Sequence, residues 1–136
     1  MARRIATGSA VPLRARRGFT LIELLVVLSI IATLLMIAVP RYFHSLERSK
    51  EAVLRQDLSV LRDAIDKYYG DLAHYPETLA DLVEHHYLRS IPVDPQTKSS
   101  ETWVSVMNED EETPGVRDVH SGATGNAIDG TQFANW

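Results

Sequence analysis

Glu23 is the residue whose chemistry most needs explaining, because it is the only ionisable side chain between Phe19 and Val39. A charge inside a membrane-length apolar segment costs about 2.5 to 3.5 kcal/mol even on insertion-based scales, so such a residue marks a functional pairing. A buried carboxylate needs an opposite charge or hydrogen-bond donors, and Glu23 therefore requires a partner. A second candidate is the run Ser121-Gly122-Ala123-Thr124-Gly125-Asn126-Ala127-Ile128-Asp129-Gly130-Thr131. It is rich in glycine and oxygen donors, the composition a calcium loop requires, with Asp129 inside it and Asp118 before it as carboxylates. The alternative is a glycine-rich loop pinned by Phe133 and Trp136. Among the histidines, His85 and His86 are adjacent and would diverge by about 100° on a helix, so they read as part of a solvated face. Glu109-Asp110-Glu111-Glu112 reads as an exposed turn, with a docking surface as the alternative. No Ser/His/Asp set, phosphate loop or metalloprotease helix occurs at a usable spacing, and no catalytic site is expected.

These residues must be positioned by two kinds of segment. Residues 1–18 read as a cytoplasmic leader, in which Gly8, Ser9 and Pro12 interrupt any helix and five arginines hold that end inside. Residues 19–39 are apolar apart from Glu23, and at 1.5 Å per residue they span roughly 30 Å, enough to cross a hydrocarbon core. A secretory signal peptide also pairs a basic region with an apolar one, but its apolar region is usually about 7 to 15 residues and carries no acid. Pro40 then removes one helical hydrogen bond and predicts a bend or loosening where the helix leaves the membrane.

Beyond Pro40 the pattern becomes amphipathic. Leu54, Leu58, Leu61, Ile65, Tyr68 and Leu72 recur at spacings of three and four, which predicts one buried face of a helix ending near Gly70. Thr78 can cap a short helix through Leu79, Leu82, Val83 and Leu88. Ile91-Pro92-Val93-Asp94-Pro95 reads as extended or turned. Thr102–Val106 and Gly115–His120 alternate like strands around an acidic turn and predict a hairpin.

Of the 136 residues, roughly forty go to leader and membrane segment, so residues 40–136 hold one small domain. The chain carries 14 basic and 18 acidic side chains, net −4; five of the arginines precede Gly18, so residues 19–136 carry 9 basic against 18 acidic, or −9. Nucleic acid is excluded as the main partner, since no basic stripe lies beyond Arg17. With no cysteine, stability must come from packing, oligomerisation or a metal.

The residues Arg17-Gly18-Phe19-Thr20-Leu21-Ile22-Glu23-Leu24, followed by an apolar helix to Pro40, resemble the prepilin signal of type IV pilins and type II secretion pseudopilins. Further on, Tyr75-Pro76, Pro92-Val93-Asp94-Pro95 and Val119-His120-Ser121-Gly122 resemble landmarks of the major pseudopilins. The resemblance implies an α+β pilin-like fold, with a long N-terminal helix, transmembrane and then amphipathic, packed on a small antiparallel sheet. It implies cleavage between Gly18 and Phe19 by a prepilin peptidase, N-methylation of Phe19, and pairing of Glu23 with the amino group exposed on a neighbouring subunit's Phe19. The implied partners are that peptidase, other pseudopilins, copies of the chain itself, the secretion platform of the inner membrane, and membrane lipid. The implied place is the bacterial inner membrane, single-pass, with the leader cytoplasmic and residues 40–136 periplasmic. The implied work is structural: a pseudopilus supporting export of folded proteins. A type IV pilin or minor pilin serving adhesion, motility or DNA uptake is the alternative, and a membrane-anchored secreted protein lies further off. Many type IV pilins close a C-terminal loop with a disulfide, which this cysteine-free chain lacks. Major pseudopilins also carry calcium in the C-terminal loop, where several aspartates cluster; here only Asp118 and Asp129 stand in that region.

Overall fold

The structure, a computed structural model, describes residues 18–136. The leader assigned to residues 1–18 lies outside them except for Gly18. By its internal contacts the chain divides between Val39 and Pro40 into two compact units.

In the first unit Thr20 opens helix α1 (Leu21–Leu72). Its hydroxyl accepts a hydrogen bond from Glu23 N–H at 3.2 Å, which satisfies one of the orphan donors of the first turn. From Leu21 to Val39 every residue is exposed. The two hydroxyls of this stretch fold back on their own helix, Ser29 donating to Leu25 O and Thr33 to Ser29 O, each at 2.8 Å. No hydroxyl is then left to seek water, as a lipid-facing helix requires. The helix continues through Pro40.

In the second unit the buried side chains of α1 are Leu54, Leu58, Leu61, Ala64, Ile65 and Tyr68. They close a core with Leu79, Leu82, Trp103, Val116, Val119, Ala123, Ala127 and Phe133. The helix passes Gly70, an unobstructed position, and stops at Leu72, because Ala73 adopts a left-handed φ of 57°. Leu72, expected in the core stripe, is 41% exposed. Helix α2 (Leu79–Glu84) starts at a capping box of Thr78 and Asp81, whose carboxylate accepts from Thr78 N–H at 3.1 Å and Glu77 N–H at 2.8 Å.

Strands β1 (Trp103–Met107) and β2 (Val116–Ser121) form a two-stranded antiparallel sheet, Trp103 facing Ser121 and Ser105 facing Val119, with an irregularity between Val106 and Met107. Asn108 closes the acidic turn between them by donating to Thr113 O at 2.8 Å. A short 3₁₀ turn, Phe133–Asn135, follows β2.

Candidate functional site

Two places answer to the chemistry read from the sequence, one in each unit. In the first, Gly18, Phe19 and Thr20 lie outside regular structure immediately before α1. Among the described residues nothing stands within 4 Å of where a Cβ on Gly18 would be, and Phe19 is 85% exposed. Glu23 is in the first turn of α1 and exposed, so its carboxylate adds to the favourable interaction of an acid with a helix N-terminus. The segment therefore offers an accessible Gly18–Phe19 bond four residues from a free-facing carboxylate.

The second place lies along α1 in the second unit. Glu51, Arg55 and Arg62 recur on the helix beside the buried leucine stripe and reach residues 118–136. Glu51 Oε1 accepts from Ile128 N–H at 2.7 Å. Arg55 donates to Asp129 Oδ2 at 3.2 Å, and its guanidinium carbon lies 4.0 Å from the centre of the Trp136 ring. Arg62 donates from Nε to Asp118 Oδ1 at 2.8 Å, and from its Nη2 to Val119 O at 3.0 Å and Trp136 O at 2.8 Å. Arg55, Arg62, Asp129 and Trp136 line a groove of about 680 Å³ with Leu58, Ser59, Asp63, Thr131 and Asn135. Phe133 is buried and meets Trp136 edge-on at 5.3 Å, so these two aromatics do pin the loop.

Each of the two aspartates named as calcium candidates has its own protein donors. Asp129 Oδ1 accepts from Thr131 N–H at 3.0 Å and Thr131 Oγ1 at 2.6 Å, and Oδ2 faces Arg55. The Thr131 hydroxyl and N–H hold its carboxyl below the usual carboxylate range against an opposing effect of burial, with a lesser contribution from Arg55. Asp118 Oδ1 also accepts from Val119 N–H at 2.7 Å, and Oδ2 lies 4.0 Å from His120 Nε2. Burial pushes its carboxyl up, but Val119 N–H, Arg62 and His120 together outweigh that and keep it below the ordinary value. Among the described residues no group of three His, Cys, Asp or Glu side chains is placed to hold a metal ion. A dication approaching either aspartate would meet a guanidinium already on one of its oxygens.

Nothing in the spacing of residue types marks Asp94 as more than part of a proline-flanked turn. It is fully buried, and its carboxylate accepts from Gln96 N–H at 2.7 Å, Thr97 N–H at 3.3 Å and Ser121 Oγ at 2.5 Å. His85 is the cap that ends α2, and its ring packs 5.4 Å from the buried Tyr68 ring, as that of His74 does at 5.5 Å. His86 has φ 65°. Both histidines are exposed, as expected, but at the end of α2 and not along its face. Glu109–Glu112 is an exposed turn, within which Glu112 N–H donates to Asp110 Oδ1 at 3.0 Å.

Comparison with known proteins bears on both places. Residues 13–39 match the family described as the prokaryotic N-terminal methylation motif. The type II secretion system core protein G of Escherichia coli is 33% identical over 96 residues, covering 59% of this chain and 66% of that protein. Its counterpart in Pseudomonas aeruginosa is 33% identical over 98 residues, 60% of this chain and 69% of that protein. The type IV major pilin protein PilA of Myxococcus xanthus is 36% identical over 61 residues, 45% of this chain and 28% of that protein. No solved structure gives a significant match. A membrane-length apolar helix behind a methylation motif, with a small α+β unit, defines the class: a pilin-type structural subunit and not an enzyme. Within that class the chain belongs to the type II secretion system core protein G family.

Proposed function

We propose that this chain is a subunit of a type II secretion pseudopilus that supports export of folded proteins. It is inserted in the bacterial inner membrane with residues 40–136 in the periplasm. A prepilin peptidase cuts between Gly18 and Phe19 and methylates the new amine. Glu23 carries the proposal. Cleavage creates a cation on Phe19, and a neighbouring subunit's Glu23 is the anion it meets when the helices leave lipid for the filament. Pairing two charges in an apolar setting offsets much of what each would cost alone, so a misregistered neighbour is penalised by an unpaired carboxylate. The exposed apolar surface of residues 21–39 then passes from lipid to neighbouring helices. The secretion platform and other pseudopilins are the assembly partners.

A type IV pilin is the second reading, favoured by the PilA identity, but the secretion relatives align over 96 and 98 residues against 61. Intact-mass analysis of membrane-extracted protein should find a chain beginning at N-methylated Phe19, and a mature start near Val39 would sink the proposal. Glu23→Leu should insert normally yet lose most cross-linked multimers, because the insertion cost falls while the neighbour's amine loses its counterion. Equal cross-linking in the variant would reduce Glu23 to a tolerated interface charge.

A further inference from the structure

In this fold the segment after β2 has only a 3₁₀ turn of regular structure, and something must hold it to α1. The loop tip closes on itself through Ala127 N–H to Thr131 O and Gly130 N–H to Ala127 O, but those bonds do not attach it to the rest of the unit. Ala127 and Phe133 are buried in the core with the α1 leucines, and the polar attachment beside them is made by Glu51, Arg55 and Arg62. Glu51 takes the loop's Ile128 N–H, Arg55 takes Asp129 and the Trp136 ring, and Arg62 takes Asp118, Val119 O and Trp136 O. Arg62 thus joins β2 to Trp136, and His120 Nδ1 of the same strand meets the same Trp136 oxygen. A guanidinium suits this work because it is planar, always charged and offers several donors at fixed angles.

We propose that Arg55 and Arg62 form a clamp that seats residues 118–136 in place of a divalent cation, so that this subunit folds and keeps its C-terminal loop ordered independently of calcium. Each arginine supplies the positive charge an aspartate needs, Arg62 to Asp118 and Arg55 to Asp129. A calcium ion binding either aspartate would have to displace its arginine. The clamp also moves the requirement from the solution to the helix. Loop seating depends on α1 being formed, and it is weakened by salt or acid rather than by a chelator. The pairs are partly exposed, so salt screens them while the Arg62 bonds to Val119 O and Trp136 O persist.

The test uses the full chain in detergent, with calcium chloride in one arm and EGTA in the other. Hydrogen exchange of the peptide covering residues 122–132 and the thermal midpoint followed by tryptophan fluorescence are the readouts. In the wild type both should be the same in the two arms, and a higher midpoint or slower loop exchange in calcium would overturn the proposal. Arg55→Gln, at an exposed position, should speed loop exchange several-fold in both arms with the rest of the unit protected. Arg62→Gln should lower the midpoint as well. Asp129→Asn combined with Arg55→Gln should do less than the sum of the two changes, since both cut the same pair while Arg55 also meets the Trp136 ring and Asp129 also holds Thr131. Fully additive effects, or unchanged loop exchange in Arg55→Gln, would mean that the arginines do not hold the loop.

Discussion

The two stretches of α1 make a controlled comparison, because both are helical and leucine-rich yet differ in where their apolar surface goes. From Leu21 to Val39 every side chain is exposed within the subunit. From Leu54 to Tyr68 only one face is apolar, and it is covered by the unit's own α2 and sheet. A uniformly apolar helix must find its partner outside the chain, in lipid or in copies of itself, whereas a striped one is satisfied at home. The same residue type therefore has opposite consequences in the two stretches.

The sharpest way to break this contrast is to truncate one leucine in each stretch. Leu61→Ala, at a fully buried site, should cost about 2 to 5 kcal/mol of the second unit's stability by denaturant unfolding. Leu28→Ala should leave that unfolding curve where it was and weaken cross-linking between subunits. If Leu61→Ala keeps the wild-type midpoint while assembly fails, the stripe is a seam between subunits.

A smaller effect tests whether the sheet side of this core is as tightly fitted as the helix side. A Cβ on Gly122 would stand 2.1 Å from Thr102 O, a backbone atom that cannot swing aside. Gly122→Ala should cost about 1 to 3 kcal/mol through forced backbone movement. An unchanged unfolding midpoint in this variant would show that β2 and the segment before β1 separate easily.

The smallest effect is electrostatic and is confined to the second unit. The folded-state pKa of Asp118 lies below its unfolded value of about 3.9, so its contribution is present above that pH and disappears as pH falls through the lower folded value. Because both partners are 38% exposed, the Arg62–Asp118 pair is worth less than about 1 kcal/mol. Asp57 has the opposite sign, since burial and then Asp94 raise its carboxyl. It favours folding below the unfolded value, and that contribution is lost as pH rises through the higher folded one. Asp57→Asn should therefore raise the neutral-pH midpoint slightly, while Arg62→Gln should flatten the loss in acid. Unfolding curves at pH 3, 5 and 7 separate the two slopes.

What was legible in the sequence was whatever depends on near neighbours. Leu54, Leu58, Leu61, Ile65 and Tyr68 betray their burial because helical spacing puts them on one face, and the hairpin is marked by alternation around an acidic turn. The end of α1 was not legible. Gly70 looks like a terminator, but the left-handed residue is Ala73, three positions on, and periodicity does not reveal that the core ends before Leu72. Arg55 and Arg62 look like ordinary solvated charges on a helix because their aspartates lie 74 and 56 residues away. The Asp118 and Asp129 region was visible as oxygen-rich, but the cations facing it were not.

The buried bond from Ser121 to Asp94 spans 27 residues and has a consequence for how the unit comes apart. Around Asp94 the chain has no helix or strand and is held by turns, so it resembles a loop able to open alone. Its side chain is nevertheless tied to the end of β2, and peeling it away would leave the buried Ser121 hydroxyl without its acceptor. Opening around Asp94 is thereby linked to opening of the hairpin, and the amides of Gln96 and Thr97 should exchange as one cooperative unit with those of β2.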